Sequence, residues 1–124
     1  MAKLLLVEDD LYLRKLVVQA LTDQGHTLSV AGDGREALSH LALSVPDLLI
    51  TDVIMPEMDG FELIMKVRRT YPQLRILAIS AGGRNRSSTY LDISRTIGAD
   101  RVLGKPFDLP DLFAVINDLV PSPT

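Results

Sequence analysis

The apolar positions of this 124-residue chain change period repeatedly and in a regular order. Lys3 to Val7 is a short apolar run, suited to a strand buried on both faces. From Leu13 the apolar residues fall at Leu13, Leu16, Val17, Ala20 and Leu21, the spacing of one helix face, and Gly25 stops the run. Thr27 to Ala31 is β-branched enough for a second strand. Asp33-Gly34-Arg35-Glu36 reads as a capping box, with Ala37, Leu38, Leu41 and Ala42 following on one face. Pro46 breaks the chain, and Asp47 to Thr51 is a third strand-length run. Phe61, Ile64, Met65 and Val67 or Arg68 carry a third helix, ended by Tyr71-Pro72. Arg75 to Ile79 is a fourth strand, Ser88 to Ile97 a weaker helix closed by Gly98, and Arg101 to Leu103 a short fifth strand. Leu109, Leu112, Phe113, Ile116 and Leu119 mark the last helix, with Asp108 as its cap and Pro110 in its first turn.

Strand and helix thus alternate five times. Strands that are continuously apolar need cover on both faces, as parallel sheets require. The expected class is α/β, a (βα)5 three-layer α/β/α sandwich around a parallel five-stranded sheet. Composition supports one folded domain over residues 1–120, with 121–124 a frayed tail or the start of a linker: 47% of residues are apolar and 23% charged. The absence of cysteine excludes a disulfide framework, a thiolate zinc site and a cysteine nucleophile. A formal charge of −3 argues against direct nucleic-acid binding. No apolar run is long enough to span a bilayer, so the expected setting is cytoplasmic, without membrane contact.

Ligands of open parallel sheets bind beyond the carboxyl ends of the strands. Glu8, Asp9 and Asp10 follow the first strand, Asp52 the third, Ser80 ends the fourth and Lys105 follows the fifth. If the first and third strands are neighbours, Glu8, Asp9 and Asp52 converge to about 5 Å, where two like charges repel by roughly 3 kcal/mol at an effective dielectric near 20. Such a cluster raises its own pKa values or recruits a cation. Carboxylates without histidine or cysteine make a hard-oxygen site, suited to Mg²⁺ or Mn²⁺. Lys105 and Ser80 add a point charge and a hydroxyl, the equipment for holding phosphoryl oxygens.

Asp52-Val53-Ile54-Met55-Pro56-Glu57-Met58-Asp59-Gly60 has the D-x-x-M-P-x-M-D-G form of response-regulator receiver domains. Val7-Glu8-Asp9-Asp10, Ile79-Ser80-Ala81 and Lys105-Pro106-Phe107 match the other signatures of that family in order and spacing, so the resemblance covers essentially the whole chain. It implies a flavodoxin-like sheet in the order 2-1-3-4-5, the order the family's chemotaxis member exemplifies. It implies further that Asp52 is the phosphoacceptor, and that Glu8, Asp9, Asp52 and the main-chain carbonyl of Ile54 bind Mg²⁺. Lys105 would pair with the phosphoryl group, Ser80 would be the switch hydroxyl, and a cis peptide bond would precede Pro106. The donor would be a sensor histidine kinase or a histidine phosphotransfer protein. The readout would be a downstream protein target recognising the face of the weaker helix, the fifth strand and the last helix. Such a chain is not an enzyme in the usual naming, although receivers catalyse much of their own phosphorylation and dephosphorylation.

Two features depart from the family. Val102 stands three residues before Lys105, where an aromatic ring is usual, which puts the aromatic relay in doubt. The segment Gly82 to Thr89 is polar and longer than usual, with capping candidates at Ser87 and Ser88. A non-phosphorylated pseudo-receiver acting as an interaction module, and a phosphate sink without a target, are the alternative functions. A flavin carrier is rejected because Glu8-Asp9-Asp10 would repel its phosphate. A haloacid-dehalogenase-type hydrolase lacks its second acid, Ile54 standing in that position. Asp10 and Asp59 are expected to cap helices. His26 and His40 read as structural or surface, Met55, Met58 and Met65 as packing around the third helix, and Arg14, Lys15, Arg68 and Arg69 as solvated helix faces. The ending soon after the last helix favours a stand-alone regulator.

Overall fold

The structure is a computed structural model that describes residues 2–53, 60–80, 92, 95 and 97–120. Its elements run β1 (Lys3–Val7), α1 (Leu11–Asp23), β2 (Thr27–Ala31), α2 (Gly34–Leu43), β3 (Leu48–Asp52), α3 (Gly60–Thr70), β4 (Arg75–Ser80), β5 (Arg101–Gly104) and α4 (Leu109–Leu119). The five strands are parallel in the order β2-β1-β3-β4-β5, as expected. The predicted helix over Ser88 to Ile97 lies mostly outside the described residues, where Asp92, Arg95 and Ile97 are helical. The polar segment Gly82 to Thr89, Asp59, Met55 and Met58 also lie outside them.

The apolar strands hide a period of two. Leu5, Val7, Leu49, Ile76 and Ala78 point to one face, where they pack with Leu41 of α2 and Leu63, Ile64 and Val67 of α3. Leu4, Leu6, Leu48, Ile50, Leu77 and Ile79 point to the other, against Val17 and Leu21 of α1 and Leu112, Val115 and Ile116 of α4. Both sheet faces are therefore covered, and burying this much aliphatic surface is the main force holding the three layers together. β3 is buried along its whole length, whereas the edge strands β2 and β5 are only partly covered. Backbone polar groups of a central strand are satisfied on both sides, which fixes β1, β3 and β4 more firmly than β5.

Local rules account for the helix ends. The Asp10 carboxylate accepts hydrogen bonds from the amides of Tyr12 and Leu13, at 3.0 and 3.2 Å, and caps α1. At the other end Gly25, at φ 94°, closes a Schellman motif in which the His26 amide bonds Leu21 O and the Gly25 amide bonds Thr22 O. Asp33 caps α2 by accepting from the Glu36 amide at 2.9 Å, and Glu36 reaches back to the amide of Gly32, one residue before the cap. Asp108 occupies the cap position of α4 without a side-chain capping bond, contrary to expectation; Leu109 and Pro110 fill the first turn. Asp47 lies outside β3 and clasps Lys3 instead, accepting from its amide at 2.8 Å and donating its own amide to Lys3 O at 2.7 Å.

Three expected core positions are exposed. Leu16 and Met65 are each 47% accessible, and Ala42 is exposed as well. The buried stripe of α1 centres on Val17 and Leu21, and that of α3 on Leu63, Ile64 and Val67, so Leu16 and Met65 lie beyond the edge facing the sheet.

His26 is structural, as expected: its Nδ1 accepts the Ala2 amide at 3.2 Å and so ties the start of β1 to the end of α1. Burial lowers its pKa below 6.5, because the charged imidazolium is poorly solvated there. A base whose pKa falls on folding takes up protons more readily when unfolded, so its contribution is complete above pH 6.5 and is lost as the pH drops below that value. Urea unfolding is expected to show a midpoint that falls between about pH 8 and about pH 5.5 in the wild type, and a smaller fall for His26→Gln.

Candidate functional site

The register of the sheet brings the polar rim together. Val7 of β1 pairs with Thr51 of β3, so the residues immediately after them, Glu8 and Asp52, emerge side by side. Asp52 pairs in turn with Ile79 of β4, and Ser80 with Gly104 of β5, whose next residue is Lys105. Glu8, Asp9, Asp52, Ser80 and Lys105 therefore meet at one end of three central strands and one edge strand.

Glu8 and Asp52 are 3% and 5% exposed, while Asp9 is open to solvent. One carboxylate oxygen from each of the three lies within 4.8 Å of the others, the convergence expected from the sequence. The Lys105 ammonium donates to Glu8 Oε1 at 2.9 Å and to Asp52 Oδ2 at 2.8 Å. Glu8 Oε2 accepts the Asp10 amide at 3.1 Å, so both oxygens of this buried carboxylate are satisfied. The same Asp10 thus caps α1 and steadies Glu8, which gives the first turn after β1 a defined shape.

Three acids against one ammonium leave the cluster with two surplus negative charges. Burial raises the Glu8 pKa above its usual value, with the Asp52 charge adding to it, against the lowering effect of the Lys105 hydrogen bond. Burial alone would lower the Lys105 pKa, but its hydrogen bonds to Asp52 and Glu8 outweigh that and hold it above the usual lysine value. Negative charge at the site contributes to both shifts, since it disfavours another anion and favours the cation, with burial the larger cause at Glu8. At an effective dielectric near 20, each carboxylate pair at such a spacing costs about 3 kcal/mol. The donor set is entirely hard oxygen, converging and partly hydrated through Asp9, and so it fits an octahedral Mg²⁺ or Mn²⁺.

The backbone beneath Asp52 is closely packed. Thr51 Oγ1 donates to Asp52 O at 2.9 Å, the Val53 amide bonds Ile79 O at 2.8 Å, and the Gly60 amide bonds Val53 O at 2.7 Å. A Cβ on Gly60 would lie 2.4 Å from Val53 Cα and 2.5 Å from Asp52 O, so only glycine lets α3 start against this loop. Sequence reasoning left Gly60 inside a motif without a role, although an aspartate-glycine pair ahead of a helix was the available sign. Ser80 is fully buried at the end of β4, and its carbonyl accepts the Lys105 amide at 2.7 Å. The peptide bond between Lys105 and Pro106 is cis, as the resemblance implied. Val102 pairs with Ala78 and packs, half-buried, on the core beneath α2 and α3. The Ile54 carbonyl expected as a fourth metal ligand lies outside the described residues.

This charge balance gives a direct expectation. In metal-free buffer Asp52→Asn raises the melting temperature by several degrees, because a neutral amide removes one repelling charge and still accepts from Lys105. Mg²⁺ stabilises the wild type and has less effect on the variant. Thermal unfolding of both proteins with and without Mg²⁺ checks the two statements. A wild type indifferent to Mg²⁺ together with a destabilised variant would contradict the geometry.

Comparisons with known proteins agree with this architecture. A family profile described as the response regulator receiver domain matches residues 4–117. The chain is 37% identical over 119 residues to the response regulator MprA of Mycobacterium ulcerans, covering 95% of this chain and 50% of that protein. Among solved structures, chemotaxis protein CheY4 of Vibrio cholerae superposes with a TM-score of 0.85 at 33% identity, covering 97% of this chain and 99% of that one. The receiver domain of NtrX from Brucella abortus gives 0.86 at 27% identity, covering 94% and 96%. The chain spans about half or less of the length of the curated relatives it matches. One of them, NtrC of Azospirillum brasilense, is a DNA-binding transcriptional regulator over a quarter of which this chain extends, so the expectation of no nucleic-acid contact finds no support here. No described helix is long and apolar enough to cross a membrane. With its profile match running from β1 into α4, the chain belongs to the receiver domain family of two-component response regulators.

Proposed function

We propose that this receiver accepts a phosphoryl group on Asp52 from a phosphohistidine of a sensor kinase or a histidine phosphotransfer protein, in the cytoplasm and with Mg²⁺ bound. The observation that carries the reading is the pairing of one ammonium, Lys105, with two buried carboxylates, Glu8 and Asp52, beside a third acid. Such a constellation is unfavourable as a purely structural feature and useful where a charge must be accepted and held.

In the transfer, an Asp52 carboxylate oxygen attacks phosphorus in line with the leaving nitrogen. An O–P bond forms, the N–P bond breaks, and its electron pair stays on the imidazole nitrogen of the donor. Glu8, Asp9, Asp52 and the Ile54 carbonyl are the groups that would hold Mg²⁺, which when bound neutralises charge on the acids and on the phosphoryl oxygens. Lys105, already beside Asp52, supplies a fixed positive charge to a phosphoryl oxygen, and the Ser80 hydroxyl donates to another. Hydrolysis returns the carboxylate when water attacks the same phosphorus and the O–P bond breaks.

The readout is a shift between two existing arrangements at β5 and α4, which adjoin Ser80 and Lys105, toward the one a protein target binds. With Val102 in place of an aromatic ring, the shift does not run through a swinging side chain at that position. Intact mass after incubation with a small acyl phosphate tests the reading. The expected result is a Mg²⁺-dependent phosphoryl adduct on the wild type that is absent from Asp52→Ala. No adduct on the wild type under conditions that preserve acyl phosphates would instead make the chain a pseudo-receiver.

A further inference from the structure

Arg68 lies in the last turn of α3, at the end of the sheet opposite the carboxylates, and its sequence position suggested a solvated face. The structure overturns that expectation: the side chain is only 26% exposed. A guanidinium has five N–H donors in a rigid fork, and all of them are used here. Nε and Nη2 both reach Gly98 O, at 3.1 and 2.7 Å; Nη1 reaches Pro72 O and Leu74 O, at 3.0 and 2.7 Å; Nη2 also reaches Asp100 Oδ2 at 2.9 Å. One planar cation thereby joins the connection leading into β4 to the connection leading into β5.

Asp100 continues the network. Its Oδ2 also accepts the Ile76 amide at 2.8 Å, and its own amide donates to Ile76 O at 2.9 Å, so this residue clamps the start of the β4–β5 ladder. Arg75 Nη1 lies 3.7 Å from the other oxygen. The four pairs from Leu77–Arg101 to Ser80–Gly104 follow, and the bond from the Lys105 amide to Ser80 O ends them. Gly98 fits the same arrangement: its φ of +133° is the glycine region, and a Cβ there would lie 3.1 Å from Arg68 Cγ, a tight contact.

We propose that Arg68 is a positioning residue for the site, fixing β5 in register from the far end of the sheet and so setting Lys105 onto Asp52 and Glu8. β5 is a four-residue edge strand, partly exposed and paired on one side, whose apolar contacts are the half-buried Val102 and Leu103. A slip of one residue would move Lys105 by about 3.3 Å, more than its 2.8 and 2.9 Å hydrogen bonds can absorb. α3 supplies the reference, since its first residue, Gly60, is packed on Val53 and Asp52, and Arg68 follows about 12 Å along the same helix. The strand of the lysine is thus measured against the loop of the acceptor through one rigid helix. The effect on turnover rests on the reading of Asp52 as phosphoacceptor; the placement of Lys105 does not.

Amide hydrogen exchange is the test, comparing Lys105, directly after β5, with Leu6 in β1 for the wild type, Arg68→Met, Arg68→Lys and a core control, Leu41→Ala. In Arg68→Met the Lys105 amide is expected to lose at least tenfold more protection than Leu6, whereas in Leu41→Ala the two change together. Arg68→Lys, with three donors on a point charge, is expected to restore little. Phosphorylation by a small acyl phosphate is expected to slow at least tenfold in Arg68→Met while Mg²⁺ is bound at least as tightly as by the wild type, because the acids follow β1 and β3 and the displaced ammonium no longer competes for them. Equal loss at both amides in Arg68→Met would overturn the proposal. If that variant does not fold, Asp100→Asn replaces it: preferential loss at Lys105 supports the clamp and uniform loss overturns it. A wild type that takes no phosphoryl group refutes the acceptor reading, and the exchange comparison still decides the role of Arg68.

Discussion

A single ammonium shared between two buried carboxylates organises this molecule. Lys105 bonds Glu8 from β1 and Asp52 from β3, while its own backbone is held by Ser80 from β4. Removing the cation of a buried ion pair commonly costs about 3–5 kcal/mol, because the acids left behind have lost their counter-ion in a medium that solvates them poorly. Here one cation serves two buried acids and a third stands at the rim, so the cluster remains negative even when fully paired. That residual charge makes the site receptive to a divalent cation and, with one, to a phosphoryl group.

The fold exists around this arrangement in a specific sense. Parallel strands deliver all their carboxyl ends to one rim, so four adjacent strands assemble a polar centre from residues up to 97 positions apart. The continuous apolar character of β1, β3 and β4 fixes their register from both faces. β5 is only partly buried, with Val102 on one face and Leu103 on the other, yet it leads to the lysine on which the charge balance turns. Its placement depends on contacts at its ends: the Arg68–Asp100 network at one and the Ser80 carbonyl at the other. The central strands are held mainly by burial, the edge strand mainly by directed hydrogen bonds.

The features governed by local periodicity were legible in the sequence. All five strands, the helix stop at Gly25 and the cap at Asp10 follow from residue order, while the convergence of Glu8, Asp9 and Asp52 needed in addition the strand order that the resemblance implied. Arg68 was misread because its partners Gly98 and Asp100 are 30 and 32 residues away, and no helical spacing reports a carbonyl that arrives from another loop. Leu16 and Met65 were misplaced for a related reason: an apolar residue at the edge of a stripe satisfies the pattern whether or not the neighbouring layer reaches it. Asp108 has the right residue type at the right position, but side-chain orientation decides whether a cap forms. Gly60 was visible as a letter in a motif, while its purpose, close approach to the backbone of Asp52 and Val53, is visible only in three dimensions.

The claim that one lysine balances a converging set of acids is tested most directly by measuring Mg²⁺ affinity calorimetrically for the wild type and for Lys105→Met at one ionic strength. Removing a positive charge that occupies oxygens of Glu8 and Asp52 should tighten Mg²⁺ binding severalfold, even as the metal-free variant becomes less stable. Unchanged or weaker binding in Lys105→Met would mean that the ammonium and the cation do not share these carboxylates, and the account of the site would be wrong.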